Sequence, residues 1–445
     1  MKVGESIKVN IESLTHGGEG LGRINNKVIF VPLTAPGDTV RVEINEVKRD
    51  YLRGRIESVL KKAGTRVVPP CDYFGRCGGC HWQYLDYACQ LDAKKKILRE
   101  TLSRIGGIEH PACLETIPSS EFYHYRHRVK FHVRQDRRIR LGFFRERSRE
   151  VIPIDQCLLL HPRINEMIGP VESIIHEYFN HIYVRNVEIK INPHEAFAVI
   201  GIHFEHEIEE NCNDFIRALK IEIPNVYGIC MIRDMGDSSR RENYGNCHTL
   251  FNLPRYGTFP QETIPLKISE GTFSQVNFTQ NQALISRIHQ HLAPDKDEVL
   301  LDLYCGNGNL SLPFVDLYKK VIGVELNDHS IEDIKNNLAG AEIKNYEFLH
   351  MESALGLDRL IDRGETVNTV ILDPPRSGGK DIVERIIRLK PSKIIYVSCN
   401  PSTLARDLGF FQNGGYTLES SQAIDMFPQT YHIESISVIQ RNPGR

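Results

Sequence analysis

A single cysteine near the end of the chain has the position of a catalytic nucleophile. Cys399 closely follows the apolar run Lys393–Val397, which is short and rich in β-branched residues and therefore predicts a buried strand. Open α/β sheets bind ligands at the carboxyl ends of their strands, where this thiol would lie. A lone cysteine is more often a small, inert core residue. The interpretation of Cys399 therefore depends on what the neighbouring strand ends carry.

Two carboxylates accompany other predicted strands. Asp373 follows the apolar run 367–372 and opens the sequence Asp-Pro-Pro-Arg, whose prolines favour a rigid turn that aims one carboxylate into a crevice. Glu434 lies in His-Ile-Glu, near the start of the last predicted strand. Alone, Glu434 is typical of a surface residue. Its significance depends on whether it shares one sheet edge with Cys399 and Asp373.

A glycine-rich turn predicts a cofactor site. Residues 299–310 give a strand, the turn Cys-Gly-Asn-Gly-Asn and a helix start. Glu325 ends the next strand, about twenty residues on, where a ribose diol would be bound. A nicotinamide fingerprint would need glycine at position 311, which is Ser311. Two glycines with Asp302 and Glu325 therefore fit S-adenosyl-L-methionine better than a dinucleotide.

Three cysteines within ten residues form a metal-ligand signature. Cys71, Cys77 and Cys80 have the spacing CxxxxxCxxC, and two glycines inside it let the backbone fold tightly around an ion. Cys157 is the leading candidate for the fourth ligand, with Cys89 or His81 as alternatives. Four thiolates suit zinc or a [4Fe–4S] cluster, and the spacing does not separate the two.

The rest of the chain predicts the elements that position these groups. Residues 1–60 contain five short strands separated by turns, the size of a small OB-like barrel. Residues 83–105 have helical periodicity, and 163–260 read as mixed α and β without a catalytic motif. Residues 121–150 hold ten Arg or Lys against four Asp or Glu, a local basic face suited to phosphate contacts.

Composition limits the class of protein. The chain has 445 residues, a net charge of −2 and eleven cysteines, which favours a soluble protein of several domains over a uniformly basic nucleic-acid coat. Met1–Glu5 is polar and lacks the apolar core of a signal peptide, and no apolar run is long enough to cross a bilayer. We therefore expect a cytoplasmic protein whose cysteines serve metal binding or catalysis rather than disulfides.

Taken in order, the motifs resemble one enzyme family over essentially the whole chain. FSQVN (273–277), DLYCGNGN (302–309), DPPR (373–376), SCNP (398–401) and the terminal HIE (432–434) resemble the RNA uridine C5-methyltransferases, in the form that carries a TRAM domain and an iron–sulfur cluster. The turn GEGLGR (18–23), followed by the Val-Pro…Ala-Pro-Gly-Asp segment (31–38), is similar to the TRAM domain, an RNA-binding module.

This resemblance implies a multidomain fold. The expected units are a TRAM barrel at 1–62, a central α+β domain at 63–268 with the iron–sulfur site and the basic face, and a Rossmann-like α/β methyltransferase domain at 269–445. A monomer is expected.

The resemblance also implies the chemistry of each site. Cys399 would add to carbon 6 of uracil, carbon 5 would then take the methyl group of S-adenosyl-L-methionine, and Glu434 would remove the carbon 5 proton so that the thiolate leaves. The implied methyl-donor residues are Gln275, Tyr304, Asn309, Glu325, Glu352 and Asp373. The implied ligands of a [4Fe–4S] cluster are Cys71, Cys77, Cys80 and Cys157.

The expected substrate is RNA, with 23S ribosomal RNA preferred over transfer RNA by analogy within the family. Three other classes of protein fit less well. A radical enzyme with a TRAM domain would need a CxxxCxxC triad, which differs from the spacing found. A non-catalytic RNA-binding protein leaves FSQVN, DPPR and SCNP unexplained. An amino-methyltransferase could use DPPR but would have no use for Cys399.

Overall fold

The N-terminal segment forms a closed five-stranded barrel, as the sequence predicted. A computed structural model of the chain describes residues 1–193, 197–205, 212–234, 239–258 and 261–442. The strands pair in the order β1-β2-β3-β5-β4. Alternate side chains fill the barrel interior, including those of Val40, Val42 and Ile44. The strands are β1 (Ser6–Leu14), β2 (Gly20–Ile24), β3 (Lys27–Val31), β4 (Thr39–Val47) and β5 (Tyr51–Lys61).

A helix and a short strand connect the barrel to the central sheet. The helix predicted over 83–105 is α1 (Tyr87–Arg104), and it begins where Asp86 caps it by accepting a hydrogen bond from the Cys89 N–H. The strand is β6 (Cys113–Ile117).

The central unit is a seven-stranded sheet with two helices. The strands pair in the order β13-β12-β11-β10-β7-β8-β9. The apolar faces of both helices share one core with the sheet. The elements are β7 (Arg128–Gln135), β8 (Ile139–Phe144), β9 (Val151–Pro153), α2 (Pro162–Phe179), β10 (Val184–Ile191), β11 (Ala198–Phe204), α3 (Asn213–Glu222), β12 (Val226–Asp234) and β13 (Ser239–Gly245).

A hairpin and a helix precede the second sheet. They are β14 (His248–Arg255), β15 (Glu262–Ser269) and α4 (Phe278–His291). Asn277 caps α4 by accepting the Gln280 N–H. The apolar side chains of this hairpin share a core with α4 and the second sheet.

The C-terminal unit is an eight-stranded sheet in the order β18-β17-β16-β19-β20-β22-β21-β6. Strands β18, β17, β16, β19 and β20 run parallel, and β22 is antiparallel to both of its neighbours. A short 3₁₀ helix covers Leu312–Leu317. The elements are β16 (Val299–Leu303), β17 (Lys320–Glu325), α5 (Asp328–Gly340), β18 (Tyr346–His350), α6 (Ser353–Asp362), β19 (Thr369–Leu372), α7 (Lys380–Leu389), β20 (Lys393–Ser398), α8 (Pro401–Asn413), β21 (Tyr416–Ile424) and β22 (Glu434–Arg441).

Packing crosses the predicted boundaries of the central unit. Strand β6 pairs with β21 and so covers an edge of the C-terminal sheet, and α1 packs against α8. The predicted division at 62 and 268 stays a prediction, but α1, β6 and the β14–β15 hairpin pack with the C-terminal sheet. Within the described ranges, no helix is both long and apolar enough to cross a bilayer.

Candidate active site and thiol pocket

Strand pairing brings Cys399 and Glu434 together. Strands β20 and β22 are antiparallel, and their last pair in this direction joins Ser398 to Ser435. Cys399 directly follows Ser398, and Glu434 directly precedes Ser435. The two residues therefore lie opposite each other at the end of the ladder. The hydroxyl of Ser435 donates to the Ser398 carbonyl at 3.2 Å and closes this end. The thiol is half-buried and Glu434 is buried.

Asp373 joins them from the neighbouring strand. Strand β19 pairs with both β16 and β20, and Asp373 directly follows its last residue. Its backbone N–H donates to the Leu303 carbonyl at 3.4 Å. We call Cys399, Asp373 and Glu434 the catalytic edge. All three lie at the carboxyl side of the parallel strands, close to the central strand β16, where open α/β sheets bind ligands.

Four of the six predicted methyl-donor residues line one pocket beside this edge. They are Gln275, Tyr304, Asn309 and Asp373. We call this space the cofactor pocket. Other residues of its wall are Phe251, Phe273, Ser274, Phe278, Asn281, Asp302, Cys305, Gly306 and Asn307.

The turn after β16 has the conformation of a ligand-binding loop. Tyr304 has a positive φ of 62°, an unfavourable region for a residue with a side chain, and such outliers concentrate at functional sites. Gly308 has a φ of 91°, and a Cβ there would lie 2.7 Å from the Leu312 side chain. Asn309 is fixed by a reciprocal amide pair with Asn281 of α4, at 2.8 and 2.9 Å. The backbone of this turn is therefore held open toward the pocket.

Gln275 is carried by a loop that the central sheet anchors. The ammonium of Lys190, 2% exposed, lies 3.0 Å from the Glu270 carboxylate. It also donates to the carbonyls of Ser269 and Thr272 at 3.2 and 3.4 Å. These contacts hold the chain immediately before FSQVN. The buried Lys190 ammonium of the central unit therefore fixes the backbone that leads into the wall of the cofactor pocket.

The two remaining predicted donor residues lie at the same sheet edge outside the pocket wall. Glu325 ends β17, and its carboxylate accepts backbone N–H groups of Gly306, Leu326 and Asn327 at 3.0, 2.8 and 2.7 Å. It therefore touches the pocket through Gly306. Glu352 precedes α6 and is exposed. The structure brings Glu325 to the pocket more closely than Glu352.

The pKa values of all three groups of the catalytic edge are raised. Burial and, to a smaller extent, the carboxyl groups of Glu434 and Asp373 raise the pKa of the Cys399 thiol, the Arg376 guanidinium lowers it, and the resulting pKa is about 11. Burial also raises the pKa of Asp373 to about 7 and that of Glu434 well above its usual value. Uncharged forms are thus favoured until a ligand changes the surroundings.

Two residues of this region belong to the motifs quoted above but were not among the predicted site residues. Arg376 faces the catalytic edge from the end of DPPR, and its backbone carbonyl accepts from Asn400 at 3.1 Å. Asp302 lies in the cofactor pocket, where burial raises its pKa to about 7 and the nearby carboxylates of Asp373 and Glu325 add to this effect. The signal for Arg376 was its place directly after the Pro-Pro turn, on the same strand end as Asp373.

The four predicted cysteine ligands converge on a second pocket. Cys71, Cys77, Cys80 and Cys157 line it together with aromatic and aliphatic side chains, and we call it the thiol pocket. Burial raises the pKa of Cys77 to about 11, and the Cys157 and Cys71 thiols add to this effect. Gly78 packs so tightly that a Cβ would lie 2.9 Å from the Phe144 carbonyl.

The turn that carries Cys157 is fixed by one side chain of α2. Asn165 accepts the Cys157 N–H at 2.8 Å and donates to its carbonyl at 3.0 Å. The alternative ligands lie elsewhere. Cys89 faces a separate pocket beside the barrel, and the His81 ring packs on Tyr431 at 4.3 Å. The geometry thus favours Cys157 as the fourth member of the set.

An open cleft connects the barrel, the cysteine motif and the catalytic edge. Its volume is about 740 Å³. Arginines outnumber acids in its wall, and we call it the basic cleft. His432 faces it with a pKa lowered to about 3, because burial and then Arg376 disfavour its charged form. The wall residues are Gly17, Gly78, His81, Phe144, Arg145, Glu146, Arg147, Ser148, Arg149, Arg376, Tyr431 and His432.

Known proteins of similar sequence identify the family. Residues 86–442 match the family described as tRNA (Uracil-5-)-methyltransferase, and residues 1–56 match the TRAM domain. An uncharacterized RNA methyltransferase of Caldanaerobacter subterraneus subsp. tengcongensis is 33% identical, with 99% of each chain covered. The 23S rRNA (uracil(1939)-C(5))-methyltransferase RlmD of Shewanella sp. (strain MR-7) is 30% identical, with 97% of this chain and 95% of the relative covered.

A solved structure shares the fold. It is the crystal structure of Pyrococcus abyssi tRNA (uracil-54, C5)-methyltransferase in complex with S-adenosyl-L-homocysteine, with a TM-score of 0.72, 23% identity and coverage of 97% of this chain and 100% of that one. The chain therefore belongs to the tRNA (uracil-5-)-methyltransferase family, carries an N-terminal TRAM domain, and methylates carbon 5 of uracil in RNA with S-adenosyl-L-methionine.

Proposed function

We propose that methylation proceeds through a covalent bond between Cys399 and carbon 6 of the target uracil. The observation that carries this proposal is the placement of Cys399 opposite Glu434 at the end of the β20–β22 ladder. Carbon 5 of uracil is a poor nucleophile. Addition of a thiolate to carbon 6 makes carbon 5 enolate-like, and the same bond must break after a base removes the carbon 5 proton.

Each group at the catalytic edge has one task in this scheme. Arg376 favours the thiolate of Cys399, because its positive charge lowers the pKa of the thiol. Asp373 and Gln275 line the cofactor pocket, and in this proposal they contact the uracil ring as well as the methyl donor. Glu434 accepts the carbon 5 proton, and its buried position makes its carboxylate a stronger base than one in water. Release of Cys399 then depends on Glu434.

The cofactor pocket fits a cationic methyl donor. The donor supplies an electrophilic methyl group on a positively charged sulfur. Asp302 is a buried and Asp373 a half-buried carboxyl group of this pocket, and a cation beside them would favour their charged forms. Gln275, Tyr304, Asn309 and Glu325 would orient the donor, and Glu352 would contact it only at the exposed rim.

We also propose that the thiol pocket holds a [4Fe–4S] cluster. Its donor set fits, because four cysteine sulfurs converge in a pocket lined mostly by aromatic and aliphatic side chains, and four cysteine thiolates are the usual ligands of such a cluster. Zinc with four thiolates is the alternative. Methyl transfer needs no electron, so the cysteine motif has a structural or RNA-contacting role in this proposal.

The proposed substrate is a uridine of 23S ribosomal RNA. Support comes from the Shewanella relative, whose name gives that RNA and which covers 97% of this chain. In this proposal the RNA follows the basic cleft from the barrel to Arg376, whose guanidinium lies near Cys399. The base must leave its stack to reach the thiol. A transfer RNA uridine is the alternative, and mapping of 5-methyluridine in both RNAs from a deletion strain separates the two.

An adduct experiment tests the covalent mechanism. The protein is incubated with labelled methyl donor and RNA containing 5-fluorouridine, whose carbon 5 has no proton to lose. We expect an adduct that survives denaturation with the native protein and none with Cys399→Ala. Full activity of Cys399→Ala on ordinary RNA would refute the proposal.

A further inference from the structure

The segment between β21 and β22, residues 425–433, ends at the proposed proton acceptor Glu434. Its position is set mostly by side chains from distant parts of the chain. The Lys94 ammonium of α1 lies 2.5 Å from the Asp425 carboxylate and donates to the Phe427 carbonyl at 3.0 Å. The Tyr125 hydroxyl donates to the Pro428 carbonyl at 3.2 Å. Lys94 and Asp425 side chains are fully buried.

Gln429 is the most constrained residue of this segment. It has a positive φ of 67°, unfavourable for a residue with a side chain. A reciprocal amide pair with Gln90 of α1 holds it: the Gln90 amide donates to the Gln429 side-chain oxygen at 3.0 Å, and the Gln429 backbone N–H donates to the Gln90 side-chain oxygen at 3.0 Å. Both residues are buried.

The same residue connects the segment to the cysteine motif. The Gln429 carbonyl accepts the backbone N–H groups of both His81 and Trp82 at 3.0 Å, and these two residues directly follow Cys80. Gln90 also donates to the carbonyls of Trp82 and Leu85 at 3.2 and 3.1 Å. The Trp82 indole donates to the Gly18 carbonyl of the barrel at 3.1 Å. Barrel, cysteine motif and α1 therefore meet at Gln429, five residues before Glu434.

We propose that Gln90 and Gln429 are positioning residues that hold Glu434 in place for proton removal, through the fixed backbone of residues 425–433. The inference rests on the proposed role of Glu434. Loosening the amide pair should slow release of Cys399 from the methylated uracil. Donor binding should be spared, because Gln90 and Gln429 lie outside the wall of the cofactor pocket.

The test uses Gln90→Leu with a matched control. Gln135→Leu also removes an amide that donates to three groups, the carbonyls of Phe179, Asn180 and Ile182, and accepts one backbone N–H, that of Val184. For Gln90→Leu we expect a methylated covalent complex on ordinary RNA, with release slowed roughly tenfold to a hundredfold and an unchanged KM for the methyl donor. Gln135→Leu should release product at the native rate.

Fluorescence gives a second readout. Trp82 is the one tryptophan of the 445-residue chain, so its emission reports on this junction alone. Gln90→Leu should shift that emission and Gln135→Leu should not. Native emission and native release in Gln90→Leu would overturn the proposal.

A second pair of variants applies if Gln90→Leu does not fold. Gln429→Gly and Gln429→Ala both lose the side-chain amide, but only glycine adopts the positive φ without strain. Release should be faster in Gln429→Gly than in Gln429→Ala, and equal rates would overturn the proposal.

Glu434→Gln serves as the reference variant that separates the two proposals. If Glu434→Gln itself accumulates no methylated complex, the proposed function fails; if only the glutamine variants release normally, the positioning inference fails alone.

Discussion

The two places where this protein gathers cysteine sulfur differ in their surroundings. At the catalytic edge, one thiol lies among carboxyl groups and a guanidinium. In the thiol pocket, four sulfurs lie mostly among aromatic and aliphatic side chains, with the Arg126 guanidinium near Cys157. Burial raises the pKa of Cys399 and of Cys77 to about 11 in both cases. Thiols with the same raised pKa are therefore proposed to form a transient covalent bond at one site and to bind metal at the other.

The two sites differ in what lowers the free-energy cost of a buried thiolate. At Cys399 the positive charge of Arg376 lowers the pKa, which favours the single thiolate that the proposed transient bond needs. At Cys77 the neighbouring thiols raise the pKa further, and a metal ion is what deprotonates such a set. A catalytic cysteine and a ligand cysteine are thus distinguished by their neighbours more than by their pKa.

Replacement of the proposed base should have the largest effect. Glu434→Gln keeps the shape of the side chain but cannot accept a proton, so turnover should fall roughly 10²- to 10⁴-fold. The methylated RNA should remain bonded to Cys399 and migrate with the protein on a denaturing gel. Rapid release of methylated RNA from this variant would show that Glu434 is not the base.

The thiol pocket should respond only to its own cysteines. Cys80→Ser should lose bound metal, because it removes one of four ligands, whereas Cys113→Ser replaces a half-buried thiol outside both sites and should keep it. Anaerobically purified native protein should be brown with about four irons. Metal analysis and absorbance measure both results. Colourless protein with one zinc would replace the cluster by a zinc site.

Removal of the Arg376 charge should change the reactivity of Cys399 and leave that of the thiol-pocket cysteines unchanged. Arg376→Gln removes the charge that lowers the pKa of Cys399, so this pKa should rise and alkylation of the thiol at pH 8.5 should slow, by about tenfold for each unit of pKa. Cysteines of the thiol pocket should be unaffected. Mass spectrometry of alkylated peptides measures both, with Arg388→Gln of α7 as the control. Unchanged alkylation of Cys399 would mean that Arg376 does not tune it.

The smallest expected effect is on methyl-donor binding. The pKa values of Asp302 and Asp373 are raised to about 7, so both carboxyls lose their protons as pH rises through neutrality and then attract the sulfonium. Affinity should increase about threefold for each carboxyl between pH 6.5 and 7.5. Calorimetry tests this, with S-adenosyl-L-homocysteine, which lacks the charge, as the control. Equal pH dependence for both ligands would contradict the expectation.

The amino-acid sequence alone determined the local units and the candidates for the reacting groups. Alternating apolar residues predicted the five-stranded barrel, because each strand buries one face. The spacing of SCNP, DPPR and CGNGN placed a thiol, a carboxylate and a flexible turn at strand ends. Such features depend on residues close together in the chain, and local sequence therefore predicts them.

Only the tertiary structure decided how these units meet. Strand β6 precedes the central unit in the chain but pairs with β21 of the C-terminal sheet, where it satisfies the backbone hydrogen bonds of an otherwise unpaired edge. Gln90 pairs with Gln429 across 339 residues, and neither belongs to a motif that signals the contact. Arg376 gained its role from the strand ends that surround it. Contacts of this kind depend on the packing of whole elements, and no local pattern in the sequence specifies them.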